Sequence, residues 1–209
     1  MSSLFQLQAV IKAPDYKDKF LCPWDVATVE PGCFITLSGN MTYPEIGLVF
    51  ARIVRYNRLN LSGDTIEVLQ QIIEAKGFVL PGGLQAVDNG KSIQPSCCCG
   101  LETWREWYEF LETKQSPWLG HDPSPWIEWR GDKIRIWADG GLDESLKDVF
   151  YIDVTVSNYK KALNLVNEDL QAFLFCVYSW LQEVSFKQSK LLVQQVAKCF
   201  EIETELNLL

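Results

Sequence analysis

Apolar and polar side chains alternate from Phe5 to Ala9, and this period of two predicts a half-buried strand running to about Ile11. The mixture of charge, proline and Trp24 over residues 14–28 predicts loop. Pro31-Gly32 marks a turn, Cys33 to Leu37 a short strand, and Ser38-Gly39-Asn40 its end. Thr42-Tyr43-Pro44-Glu45 fits a helix start, with Thr42 as cap, proline in the first turn and Glu45 reaching back. Ile46, Val49, Phe50, Ile53 and Val54 then share one face, although partial alternation over 46–59 keeps a strand as the competing reading. Asp64-Thr65-Ile66-Glu67 is a cleaner capping box. Ile66, Leu69, Ile72 and Ile73 follow at helical spacing, with Gly77 as the stop.

Glycines, prolines and Asp88-Asn89-Gly90 predict that Leu80 to Ser96 is a long loop with at most one tight turn. After Cys97-Cys98-Cys99, apolar residues at Leu101, Trp104, Trp107 or Tyr108, and Leu111 predict a helix. It starts near Gly100, or at Thr103 with Glu106 closing the cap. Three prolines between Pro117 and Pro125 exclude regular structure there.

The sharpest local expectation is a hairpin over 126–137 with Gly131-Asp132 as its two-residue turn. The register follows: Trp129 opposite Ile134, Glu128 opposite Arg135, Ile127 opposite Ile136, Trp126 opposite Trp137. Ile127, Trp129, Ile134 and Ile136 form a core face. Glu128, Arg130, Lys133 and Arg135 form a wet face with opposite charges paired across the strands. A slip of one residue would bury those charges, so the register is strongly specified. Phe150, Ile152, Val154 and Val156 alternate with polar residues and predict another strand. Helix begins at Ser157 or Asn158, with Asn167 as a candidate restart, and Phe173 to Tyr178 is apolar all round and predicted to be buried. A last amphipathic helix covers about 186–200.

Strands separated by helices, antiparallel neighbours and a helical C-terminal third predict an α+β fold: a small, mainly antiparallel sheet packed against several helices. No linker-like composition cuts the chain, so 1–209 reads as one domain, with a helical subdomain from about 157 as the alternative.

Charge narrows the partners. The chain of 209 residues carries 19 Lys and Arg against 27 Asp and Glu, a net charge of −8. That argues against nucleic acid, whose phosphates require a basic surface, and against anionic membranes. It suits a basic protein partner reached by electrostatic steering. The longest apolar run falls far short of the ~20 residues of a spanning helix. Met1-Ser2-Ser3-Leu4 has no secretion-signal pattern, and seven cysteines are an odd number. Free thiols in a reducing cytoplasm are the expectation. The apolar tail 206–209 can dock on its own core or on a second copy, so a homo-oligomer stays open.

The stretch from Cys97 to Trp137 holds three of seven cysteines, six of eight tryptophans and the one histidine. Cys97, Cys98 and Cys99 precede a predicted helix, whose N-terminal partial charge favours thiolate. With His121 as base and Asp122 beside it, they are the catalytic candidates for a hydrolase or acyl transferase. The competing reading packs the cysteines beneath the tryptophans and ties His121 and Asp122 to local backbone. For metal, adjacent cysteines point apart, and Cys97, Cys99, His121 and Asp122 match no common ligand spacing, so no cofactor is expected and a weak metal site is kept only as an alternative. Trp126 opposite Trp137 on the wet face, with Arg135 and Trp118, forms the candidate binding surface. Two functions follow. The favoured one is a non-catalytic protein-interaction module, of the acidic neutralising or immunity type. The alternative is an enzyme using a cysteine thiolate with His121. Whether the imidazole lies within reach of a sulfur separates them.

Overall fold

The computed structural model describes residues 5–14, 22–142 and 149–203. The tail at 206–209, and Asp143, Glu144 and Asp148, lie outside them. In chain order the first elements are strands β1 (Gln6–Lys12) and β2 (Phe34–Thr36), helices α1 (Tyr43–Tyr56) and α2 (Thr65–Glu74), and strands β3 (Gly82–Asp88) and β4 (Lys91–Ile93). A 3-10 turn (Leu101–Thr103) and helix α3 (Glu106–Thr113) follow. The rest are strands β5 (Trp126–Arg130), β6 (Lys133–Trp137) and β7 (Tyr151–Thr155), and helices α4 (Val156–Glu183) and α5 (Ser189–Cys199). The fold is α+β. Its strands are divided between a sheet of order β2-β1-β3-β4 and one of order β5-β6-β7. Among the described residues no helix is long and apolar enough to cross a membrane.

The chain forms two compact units, one from Met1–Val10 and Pro81–Glu168, the other from Ile11–Leu80 and Asp169–Leu209. In the second unit, the start of α1 is held as its sequence requires: the backbone N–H and the hydroxyl of Thr42 both donate to Glu45 Oε2 at 2.7 Å. Ile46, Val49, Phe50, Ile53 and Val54 are all fully buried, so helix, not strand, wins over 43–56. At α2, Glu67 N–H donates to Asp64 Oδ1 at 2.9 Å and Asp64 N–H to Glu67 Oε2 at 3.0 Å. The helix stops at Glu74, ahead of the expected Gly77, and Ile66 is exposed while Val68, Leu69 and Ile72 face inward. Trp180 packs against Phe50 and, edge to face, against Trp24, whose indole N–H donates to Gly47 O at 2.9 Å. The apolar run at 173–178 is not buried all round. It spans more than one helical turn, so one side meets solvent, and Phe175 is exposed there while Phe173, Leu174 and Val177 are buried.

In the first unit, the expected loop at 80–96 is instead the hairpin β3–β4, with Asp88 opposite Lys91 and Ala86 opposite Ile93. Asn89 and Gly90 have φ of 47° and 78°, the left-handed pair that a two-residue primed turn demands. Gly82 and Gly83 dilute the apolar alternation of β3, which is why the strand is faint in sequence. The β5–β6 register matches the expected one at every pair, from Trp126–Trp137 to Trp129–Ile134. Ile127, Ile134 and Ile136 are buried. The charges pair differently from expectation. Arg135 turns to β7 and binds Asp153 with two hydrogen bonds of 2.7 and 2.8 Å, and Glu128 turns to Arg130 on its own strand at 2.9 Å. β6 is the central strand, and its second neighbour supplies the better-placed carboxylate. Beneath the sheet, Phe110, Trp129 and Tyr159 pack together, and the buried Tyr159 hydroxyl donates to Trp107 O at 3.1 Å.

Candidate functional site

The site is made where two irregular segments run side by side. One is the turn after β4, residues 96–99; the other is the proline-rich loop at 117–123. Ser96 N–H donates to Leu119 O at 3.0 Å, and Asp122 N–H to Ser96 Oγ at 3.2 Å. Between these bonds Gly120, at φ 102°, lies so close that a Cβ there would sit 2.6 Å from both Cys97 O and Ser96 Cβ. Only glycine fits both the conformation and the space.

This docking carries His121 onto the cysteines. His121 Nδ1 lies 2.7 Å from Cys97 Sγ, and Nε2 lies 4.0 Å from Cys98 Sγ. The two sulfurs and an imidazole nitrogen all fall within 4.8 Å of one another, and all three residues are exposed. The expectation that adjacent thiols point apart is overturned. It holds for extended backbone, whereas Cys98 has a left-handed φ of 63°, which brings both sulfurs to one ring. Trp118 is 46% exposed and stands edge to face with His121 at 6.3 Å, so an apolar ring borders the cluster.

Cys99 does not join it. Its side chain is buried, with Sγ directed at Trp118 O at 3.8 Å, in space left by the missing side chain of Gly83. Burial pushes its thiol up to about 11, with the charges of Glu102 and Glu106 acting the same way. Asp122 contributes its backbone N–H, and its carboxylate is not part of the donor group. The thiols also do not sit at an α-helix start. They precede a three-residue 3-10 turn, and α3 begins only at Glu106. A single tight turn sums few peptide dipoles, so the imidazole, not a helix, is the polar neighbour of Cys97.

No family model, curated protein or solved structure matches the chain.

The remaining candidates lie on the β5–β7 sheet and are engaged there. Trp126 and Trp137 stack at 5.9 Å with 6° between planes, as their register demands. Trp137 is buried rather than exposed, because Tyr151 closes on its edge at 5.0 Å and its indole N–H donates to Glu128 Oε2 at 3.1 Å. The Arg135 guanidinium lies 3.5 Å over the Tyr151 ring while holding Asp153. Arg135 holds the Asp153 carboxyl below its usual range, and Arg130 does the same for Glu128. Sequence reasoning missed Ser96 and Gly120, which position the loop. Trp-Leu-Gly-His at 118–121 is the trace they leave: a glycine next to the single histidine in a segment that cannot be helix or strand.

Proposed function

We propose that the protein is a thiol-dependent enzyme of the hydrolase or acyl-transfer class, with Cys97 as nucleophile and His121 as its base. The observation that carries this reading is the 2.7 Å contact between Cys97 Sγ and His121 Nδ1 on an exposed surface. A hydrogen-bonded imidazole takes the thiol proton as sulfur attacks a carbonyl carbon, and returns it to the leaving group, which leaves an acyl thioester on Cys97. Transfer to water or to another acceptor regenerates the thiol. Trp118 offers the neighbouring apolar face for the substrate. Of the grounds for the interaction-module reading, the net charge of −8 stands, while the Trp126–Trp137 pair is less open than expected because Trp137 is covered.

Alkylation by iodoacetamide, read cysteine by cysteine by peptide mass spectrometry at neutral pH in the presence of a chelator, tests the pair. Cys97 is expected to react first and buried Cys99 to stay unmodified. His121→Ala is expected to slow Cys97 by roughly tenfold, because no imidazole then takes the thiol proton as sulfur attacks. Equal Cys97 rates in the native chain and in His121→Ala would remove His121 from the mechanism.

A further inference from the structure

The same corner of the fold holds one donor atom more than a nucleophile and base require. We infer that Cys97, Cys98 and His121 form an open site for a thiophilic divalent cation of the zinc class, with the fourth position left to water. Two thiols and an imidazole are the donor types such an ion selects, and two thiolates balance its charge. Zinc bonds of about 2.3 Å to sulfur and 2.0 Å to nitrogen place neighbouring ligands of a tetrahedron about 3.5–3.8 Å apart. With one ligand atom from each residue, the two sulfurs and a ring nitrogen lie within 4.8 Å of one another, and the 2.7 Å between Cys97 Sγ and Nδ1 is shorter than that spacing, so this pair opens if Nδ1 is the ligand.

The backbone supplies an independent observation. Cys98 holds a left-handed conformation at φ 63°, unfavourable for a residue with a Cβ, and a nucleophile–base pair of Cys97 and His121 has no use for it. Its structural consequence is to bring a second sulfur to the ring. Three protein ligands with one open position differ from the closed four-ligand set of structural zinc and leave room for water or another ligand. The net charge of −8 adds a field that draws cations toward the chain. This inference does not rest on Cys97 being a nucleophile. It adds a consequence: a bound ion would occupy the Cys97 sulfur and silence it.

The test uses the full, reduced chain titrated with zinc against a chromophoric chelator, and with cobalt as a spectroscopic probe. One ion per chain is expected, with a sulfur-to-cobalt charge-transfer absorption in the near ultraviolet. Zinc is expected to protect both Cys97 and Cys98 from alkylation. Cys98→Ser and His121→Ala should each weaken zinc binding by at least about tenfold, a loss of ~1.4 kcal/mol. A native chain that withholds no zinc from the chelator and gains no protection overturns the site, whatever the variants do. So does a Cys98→Ser chain that binds zinc as tightly as the native one. Loss of the His121 effect on metal-free alkylation, with zinc binding intact, overturns the catalytic reading alone.

Discussion

Single residues decide whether the cluster forms. Gly120 is the clearest case, since it combines a φ of 102° with a 2.6 Å approach to Cys97 O that a side chain would block. Gly120→Ala should cost about 1–3 kcal/mol, from backbone strain alone. It should lower the melting temperature by about 2–4 °C per kcal/mol. It should also move Cys97 alkylation toward the rate of His121→Ala, because the loop carrying the imidazole can no longer seat. An unchanged melting temperature in calorimetry would show that the loop has room for a methyl group at this position. The candidate residues were legible at this scale, because cysteine, histidine and tryptophan crowd one stretch. Their grouping was not. Cys97 and His121 are 24 positions apart, and Cys98 reaches the ring only through a backbone conformation that nothing in Cys-Cys-Cys announces.

Whole elements were read well where the evidence is local. Capping boxes at Thr42 and Asp64 close over three residues, and the 126–137 register follows from one turn and one alternation. Glycine-rich β3 escaped because its pattern is diluted, although Asn89-Gly90 carried the hairpin signal. The cross-strand charges went astray for a different reason: a strand pattern gives faces and register, not the identity of the second neighbour. Asp153 of β7 is that neighbour, and its pairing with Arg135 predicts a pH dependence. A carboxyl whose value is lowered on folding stabilises the native state above its unfolded value of about 3.9, and loses that contribution as pH falls through the lower folded value. The carboxylate is 30% exposed and screened by solvent, so Asp153→Asn should cost at most about 1 kcal/mol at neutral pH. Thermal unfolding of the two chains should converge in strong acid. A difference that persists there would assign the effect to the hydrogen bonds that seat Arg135 over Tyr151 and not to charge.

At the scale of the molecule, α4 gives its first part to one compact unit and its second to the other, and the division falls between Glu168 and Asp169. Asn167-Glu168-Asp169 reads locally as a helix start, yet the helix runs through it unbroken. Tertiary packing of Val166 and Leu170, both fully buried, overrides the cap. Asn167 Oδ1 is left buried with no hydrogen-bond partner among the described residues. Asn167→Ala removes that polar atom and improves helix propensity, and should raise stability by about 0.5–1.5 kcal/mol in a denaturant titration. A destabilised variant would mean that the side chain has a partner in solution.

The chain by itself determined its α+β class, its capped helices and the register of its central hairpin. Those features depend on spacings of two to four residues, and the physics of the strand pleat and the helical turn is already present at that range. Only the tertiary structure decided what the cysteines meet. Seating two loops against each other, with a glycine where they touch and a left-handed residue between the sulfurs, depends on contacts whose partners are far apart in sequence. No periodicity encodes such contacts.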